Sequence, residues 1–337
     1  MRIQDNLLRE RIVEFLIKNS VRRDDACDAA DCLILADLYG VKTHGSVVLP
    51  SHLKRIINGG YNLNPSFDII KETPSFAVID ADNSIGFASA SYCMRFAIEK
   101  CLSNGIYTVF SRNANAYGAA FCYAMQAAEK GLIGFTCCNS PAAMAPIGGR
   151  ERKFGTNPLS MVIPVGDGIR PIIIDMATSK VAKSRFLQSK RDGLPLGEGW
   201  ALNSNGQPTT DPDEGIQGFV CPMEGFKGYG LALMIDLLSG FLSGAAWQNN
   251  VNKFYNEEGA PMNVGHLFIA IDPVQILGDN YWSEIKNYVL NIRNTIPVEE
   301  GVDVALPGDD KVKAYVENSN LGIEVSEEVV ELLNLNR

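Results

Sequence analysis

Histidine is scarce in this chain of 337 residues: there are three, His44, His52 and His266. A reaction that needs a proton donor near neutral pH therefore has few candidates. Excess positive charge is missing as well. With 30 Lys and Arg against 39 Asp and Glu, the formal net charge is −9, and without a basic face a nucleic-acid partner is excluded. The most apolar stretch, 228–247, is interrupted by Asp236 and rich in Gly and Ser, which reads as a buried helix rather than a membrane span. Residues 1–19 mix charges throughout and lack a small-residue cleavage site, so the expected address is cytoplasmic. The eight cysteines show no C-x-x-C spacing and no histidine at ligand distance, so reduced thiols and no metal site are expected. No G-x-G-x-x-G follows an early strand, and 225–230, GFKGYG, has its glycines in another order, which removes the main warrant for a Rossmann nucleotide site.

What is there is an ordinary globular composition, 46% hydrophobic and 20% charged, at a length that exceeds one usual core. Leu8, Ile12, Phe15 and Leu16 give 6–19 one apolar helical face, with Asp5 as a possible N-cap; a second helix is expected from Asp24 through Leu33 to Gly40. In 41–60, Pro50 suits a first helical turn and Gly59-Gly60 a helix stop. Residues 1–70 thus read as a small helical domain, joined by about 310–337, where 325–334 should form a helix packing back on the first one. From Ser75 onward, helix and strand alternate over a second domain, 71–310. Strands are expected at 76–80, 105–111, 132–140 and 266–271, with helices at 88–104, 178–190, 228–243 and 280–293. The segments 159–164 and 170–175 around Val165-Gly166-Asp167-Gly168 signal a hairpin, so the sheet must be mixed. The fold class is α/β. Everything leans on 112–164, where Ala119, Ala120, Ala124, Ala127 and Ala128 suit a helix pressed closely on a sheet and Lys130-Gly131 closes it.

That same stretch carries a resemblance. NSPAAMAPIGG at 139–149 followed by FGTNPLSMVIP at 154–164 resembles the malate/L-lactate dehydrogenase family, which is unrelated to the Rossmann-fold dehydrogenases. Further blocks agree in order: THGSVVLPSHLKRI at 43–56, DMATSKVAKSRF at 175–186, GEGWALNSNGQPTTDP at 197–212, GFKGYGLALMIDLLSG at 225–240 and NVGHLFIAIDP at 263–273. The resemblance implies a non-Rossmann, mixed-sheet domain binding NAD or NADP, with NAD favoured, a homodimer, and reduction of a 2-oxo acid or related carbonyl or imine.

It also implies roles, residue by residue. His44 matches the family's acid/base histidine, with Thr43 in place of a serine that orients the ring. Ser140, Asp175, Met176, Ala177, Lys227, Leu306, Pro307 and Gly308 match cofactor positions; Asp175 reads equally as a helix cap. On the substrate side fall Val48, His52, Arg55, Ala116, Tyr117, Thr156 and Asn157. Three of these depart from the family pattern: Val48 stands where an arginine grips the substrate carboxylate, His52 where a tyrosine stands, and Ala116 where a second histidine stands. His52, in the first turn after Pro50, should be neutral, and Arg55, one turn on, could partly replace the lost cation or serve in an ion pair. His266 reads as a strand histidine. Two readings of the departures stay open: a substrate divergent from malate and lactate, or a catalytically lapsed protein that still binds a dinucleotide.

Overall fold

The chain leads with helices α1 (Asp5–Lys18), α2 (Arg23–Leu38) and α3 (Leu49–Ile57) in the computed structural model, which describes residues 1–166, 168–254 and 259–335. Leu8, Ile12 and Leu16 of α1 are buried against the alanine-rich face of α2, whose small side chains let the two axes approach. The expected caps are displaced: Gln4 and Arg22 hold the cap positions without side-chain bonds, while Asp5 and Asp24 sit inside the first turns. There their charge still complements the helix dipole.

The central sheet comprises β1 (Asp68–Glu72), β2 (Phe76–Asp80), β3 (Ile106–Ala114), β4 (Ile133–Cys138), β5 (Leu159–Ile163), β6 (Ile172–Met176) and β7 (Val264–Ile271). Their order across the sheet is β1-β2-β3-β7-β4-β5-β6. Only β2 and β3 pair in parallel, across the long helix α4 (Gly86–Asn104); each other neighbouring pair is antiparallel. The sheet is mixed, and β5 and β6 form the expected hairpin, in register from Leu159 opposite Met176 to Ile163 opposite Ile172. Asp167 of its turn lies outside the described residues. The alanine-rich helix α5 (Phe121–Ala128) lies so close on β4 that a Cβ on Gly134 would sit 2.3 Å from the Ala124 carbonyl oxygen.

A satellite unit grows from the β6 edge. Helix α6 (Ser184–Asp192), a short helix at Pro212–Gln217 and a small three-stranded sheet enclose Phe186, Leu196, Ala201 and Val220. Helix α7 (Phe226–Ile235) follows and runs on into a π-helical turn, Asp236–Phe241. After β7 come α8 (Tyr281–Arg293) and α9 (Asp309–Leu321). The chain then returns to its start. Arg2–Ile3 pairs antiparallel with Ile323–Glu324, and α10 (Glu327–Leu332) buries Val329 and Val330, packing chiefly on α3 and the turn before it instead of on α1. Among the described residues no helix is long and apolar enough to cross a membrane.

Candidate active site

The loop between α2 and α3 is fastened from below. Asp37, buried in the last turn of α2, accepts a hydrogen bond from the Ser46 backbone N–H at 2.8 Å, and burial pushes its carboxyl up to about 6 against that bond. Gly45 is required there, because a Cβ would come within 1.8 Å of the Asp37 carboxylate. This anchor presents His44 at the end of a short 3-10 turn, Lys42–His44. Thr43 Oγ1 lies 2.9 Å from His44 Nδ1. In the protonated ring Nδ1–H donates to that hydroxyl, which leaves Nε2–H as the free donor. The ring is half-buried, and desolvation lowers its pKa below the usual 6.5.

Five of the residues expected on the substrate side split into two groups. Val48 packs against the main core, and Ala116 joins an apolar cluster with Ala81, Val251, Met262, Val264 and Phe254. The others are turned inward. His52 is buried, holds Tyr61 Oη at 2.8 Å through Nδ1, and stands among the rings of Tyr61, Phe87 and Phe254. It is neutral as expected, but mainly because burial, with Arg55 adding to it, drives its pKa down to about 3. Arg55 is turned inward. Its guanidinium is buried and donates to the carbonyls of Phe254, Gly60 and Ala260 and to Asn115 Oδ1, at 2.8 to 3.2 Å, with no carboxylate among these partners. Tyr117 is likewise a core residue: its ring stacks on Tyr123 at 4.9 Å and on His266 at 4.4 Å. His266 is fully enclosed in β7, with a pKa of about 3.

Thr156 and Asn157, expected on the substrate side, are hydrogen-bonded instead into the blocks expected to hold the cofactor. Asn157 Oδ1 accepts from the Ser140 N–H at 3.0 Å, while Asn157 Nδ2 donates to the Ala232 carbonyl of α7 at 2.8 Å. The Thr156 carbonyl accepts from Thr178 N–H and Oγ1, and the Thr178 carbonyl accepts from Met223 N–H at 2.9 Å. Thr178 was not singled out from the sequence, although it lies inside the DMATS block; its role shows only when residues 22 and 45 positions away come to it in space (178 − 156 and 223 − 178). The Pro307 carbonyl accepts from Ile173 N–H at 3.1 Å, laying Leu306, Pro307 and Gly308 along β6. Asp175 faces the first N–H of α5 and Lys311, and burial outweighs both to push its carboxyl up to about 6, the environment of a helix cap. Met176 is exposed and Ala177 half-buried.

Lys227 is exposed in the first turn of α7, and no ion pair holds its ammonium among the described residues, whereas Lys180 nearby in sequence order of blocks pairs with Glu224 at 3.2 Å. Gly225, just before that helix, has φ +62° with open space where a side chain would be. An open helix N-terminus with a free cation suits a pyrophosphate, so the donor set fits a dinucleotide. The two halves meet at the end of α2, where Tyr39 packs on Phe121 at 5.3 Å, the residue whose N–H faces Asp175.

The buried groups make stability depend on pH in two opposed ways. His52 and His266, lowered from 6.5 to about 3, favour the folded state above 6.5 and lose that contribution as pH falls toward 3. Asp37 and Asp175, raised from 3.8 to about 6, destabilise above 6 and cease to do so as pH falls through that range. The expected result is a melting temperature nearly flat between pH 6 and 4 that drops below pH 4; in Asp37→Asn, whose carboxyl no longer offsets a histidine, the decline should begin near pH 6.

Comparison with known proteins agrees with the geometry. A family model described as malate/L-lactate dehydrogenase matches residues 3–334. The chain is 38% identical to the malate dehydrogenase of Pyrococcus horikoshii, over 99% of this chain and 94% of that protein. It is 33% identical to the ureidoglycolate dehydrogenase (NAD(+)) of Escherichia coli K12, over 99% and 95%. The solved sulfolactate dehydrogenase of Methanocaldococcus jannaschii superposes with a TM-score of 0.90 at 33% identity, covering 99% of this chain and 95% of that one. The chain therefore belongs to the malate/L-lactate dehydrogenase family of NAD(P)-dependent oxidoreductases.

Proposed function

We propose that the protein interconverts a 2-oxo acid, or a related carbonyl or imine, with the corresponding 2-hydroxy acid or amine, and that His44 supplies the proton. The bound nicotinamide would supply the hydride. The observation that carries this reading is the pairing of Thr43 Oγ1 with His44 Nδ1 on a loop fastened by Asp37, which leaves one ring nitrogen free to meet a substrate oxygen. Ser140, Ala177, Lys227 and the 306–308 loop would hold the dinucleotide, with its phosphates at the start of α7.

The substrate would differ from malate and lactate. Val48 offers no charge, the Nη atoms of Arg55 are held by backbone carbonyls and Asn115, and Ala116 lies among apolar side chains, so these positions favour an apolar substituent over a second carboxylate. The test is NADH or NADPH oxidation with a panel of 2-oxo acids. Oxo acids with branched or aromatic side chains should be turned over with higher kcat/KM than oxaloacetate; a preference for oxaloacetate would refute the specificity. Turnover of no member would favour the second reading, a lapsed dinucleotide-binding protein, which the same replacement at position 48 and the occupied Arg55 support.

A homodimer is part of the proposal. Phe226 is 74% exposed, and Leu233, Met234, Leu237 and Phe241 follow on α7 and its π turn, also exposed at helical spacing. A monomer seldom leaves such a stripe to water. Leu237→Glu with Phe241→Glu should shift the protein from dimer to monomer by light scattering; a wild-type monomer would exclude pairing. The eight free thiols are in keeping with a cytoplasmic location.

A further inference from the structure

Helix α9 has no buried side chain, yet it reaches from one half of the site to the other. Its N-cap is Gly308, the last residue of the loop expected to hold the dinucleotide. That end is clamped. Asp309 Oδ2 accepts from the Leu306 N–H at 2.8 Å, and the Asp309 carboxylate accepts two further bonds from Arg293 of α8, at 2.8 and 3.1 Å. Asp309 thereby fixes the 306–308 loop to the first turn of α9. The 13 residues of the helix, at about 1.5 Å rise each, carry it about 20 Å away from the clamp.

Its far half lies across the end of α2. Tyr315 packs on Tyr39 with ring centroids 4.7 Å apart, and Gly40, at φ +75°, is so close that a Cβ would stand 2.9 Å from the Ala314 Cβ. One turn beyond Tyr315, Asn318 Nδ2 donates to the Asp37 and Leu38 carbonyls, each at 3.1 Å. The last carbonyls of a helix lack intrahelical partners and are met from outside. Asp37 is the residue whose carboxylate holds the Ser46 N–H, and Glu324, just past α9, pairs with Lys42 of the His44 turn at 2.5 Å. The exposed pair contributes little by itself. The Asn318 bridge is half-buried and fixes the backbone from which Asp37 reaches Ser46.

We propose that α9 sets the dinucleotide loop in register with His44, and that Asn318 is a positioning residue for the proton transfer, acting through Asp37 and Ser46. The inference rests on the reading of 306–308 as a dinucleotide contact and of His44 as the proton donor. When Leu306–Gly308 close on a dinucleotide, the start of α9 is held. Restricting one end of a helix that has no core of its own restricts the other, so the 43–46 loop gains order without a change of shape.

Hydrogen exchange of the full-length protein with NADH and, separately, NADPH reads this coupling without any turnover. In wild type, binding should slow exchange at residues 43–46 by about fivefold or more, within the range of coupling between sites. It should not slow it in Asn318→Asp, which keeps the shape of the side chain but turns an acceptor toward two carbonyls. In that variant and in Asn318→Ala, dinucleotide affinity should stay within about twofold of wild type while kcat falls about tenfold. Asn320→Ala, exposed on the same helix, should change neither. The proposal alone is overturned if wild type binds a dinucleotide while residues 43–46 exchange as before, if the Asn318 variants keep both the slowing and kcat, or if affinity and kcat fall together in them, which marks a general loosening. Absence of dinucleotide binding to wild type overturns the reading of the 306–308 loop, and the proposal falls with it.

Discussion

Replacing His44 by glutamine is expected to lower kcat for carbonyl reduction by about 10²–10⁴-fold, the usual contribution of a placed general acid, while the affinity for NADH or NADPH stays within about twofold of wild type. Glutamine keeps a hydrogen-bonding group in the turn but cannot give up a proton at neutral pH. The ring is only half-buried and the loop is held by Asp37 and Ser46, so the fold should survive the change. The pH profile carries the signature. Reduction consumes the proton of the imidazolium, whose pKa desolvation has lowered, so kcat/KM for reduction should fall as pH rises through a value below 6.5, and oxidation should rise across the same range. Loss of that inflection in His44→Gln assigns it to His44; an unchanged rate and profile would place the proton donor elsewhere.

Gly228→Ala should have the second large effect. An added Cβ would lie 2.4 Å from the Thr178 carbonyl oxygen and 2.5 Å from both Met223 N and Met223 O, all of them backbone atoms. None can swing away, because Met223 N–H is bonded to that same Thr178 carbonyl. The start of α7 must therefore shift from the DMATS block, at about 1–3 kcal/mol of stability for an overpacked contact and about tenfold or more in dinucleotide affinity. Gly230, two residues on, is the control. It has open space around its Cβ position and an ordinary helical φ, so Gly230→Ala should raise helix stability by about 0.8–1.0 kcal/mol. Equal losses in both variants would mean that α7 tolerates no change at all and that the contact with Thr178 is not special.

How much of this was legible beforehand depends on where each signal lies. The strand at 76–80 and the β5–β6 hairpin were readable because alternation and turn glycines are local. Strand β1 was not: all of Asp68–Glu72 is exposed on the sheet edge, so no side of it is patterned by burial. Helix α9 escaped for the same reason, since none of Asp309–Leu321 is buried and no apolar stripe marks it. At the site, the resemblance pointed to His44 and the cofactor blocks, yet sequence could not say which way Arg55, His52 and Tyr117 point. The partners of Arg55 include Phe254 and Ala260, about 200 residues away by subtraction of their numbers. Asp37 was invisible as the anchor of the His44 loop because its acceptor role depends on the turn that brings Ser46 back over it.

The most direct test of the account is titration of the purified protein with NADH and, separately, NADPH, followed by nicotinamide and tryptophan fluorescence. The account predicts saturable micromolar binding of at least one, weakened about tenfold in Gly228→Ala and retained in His44→Gln. Binding of neither dinucleotide to the folded protein would contradict it.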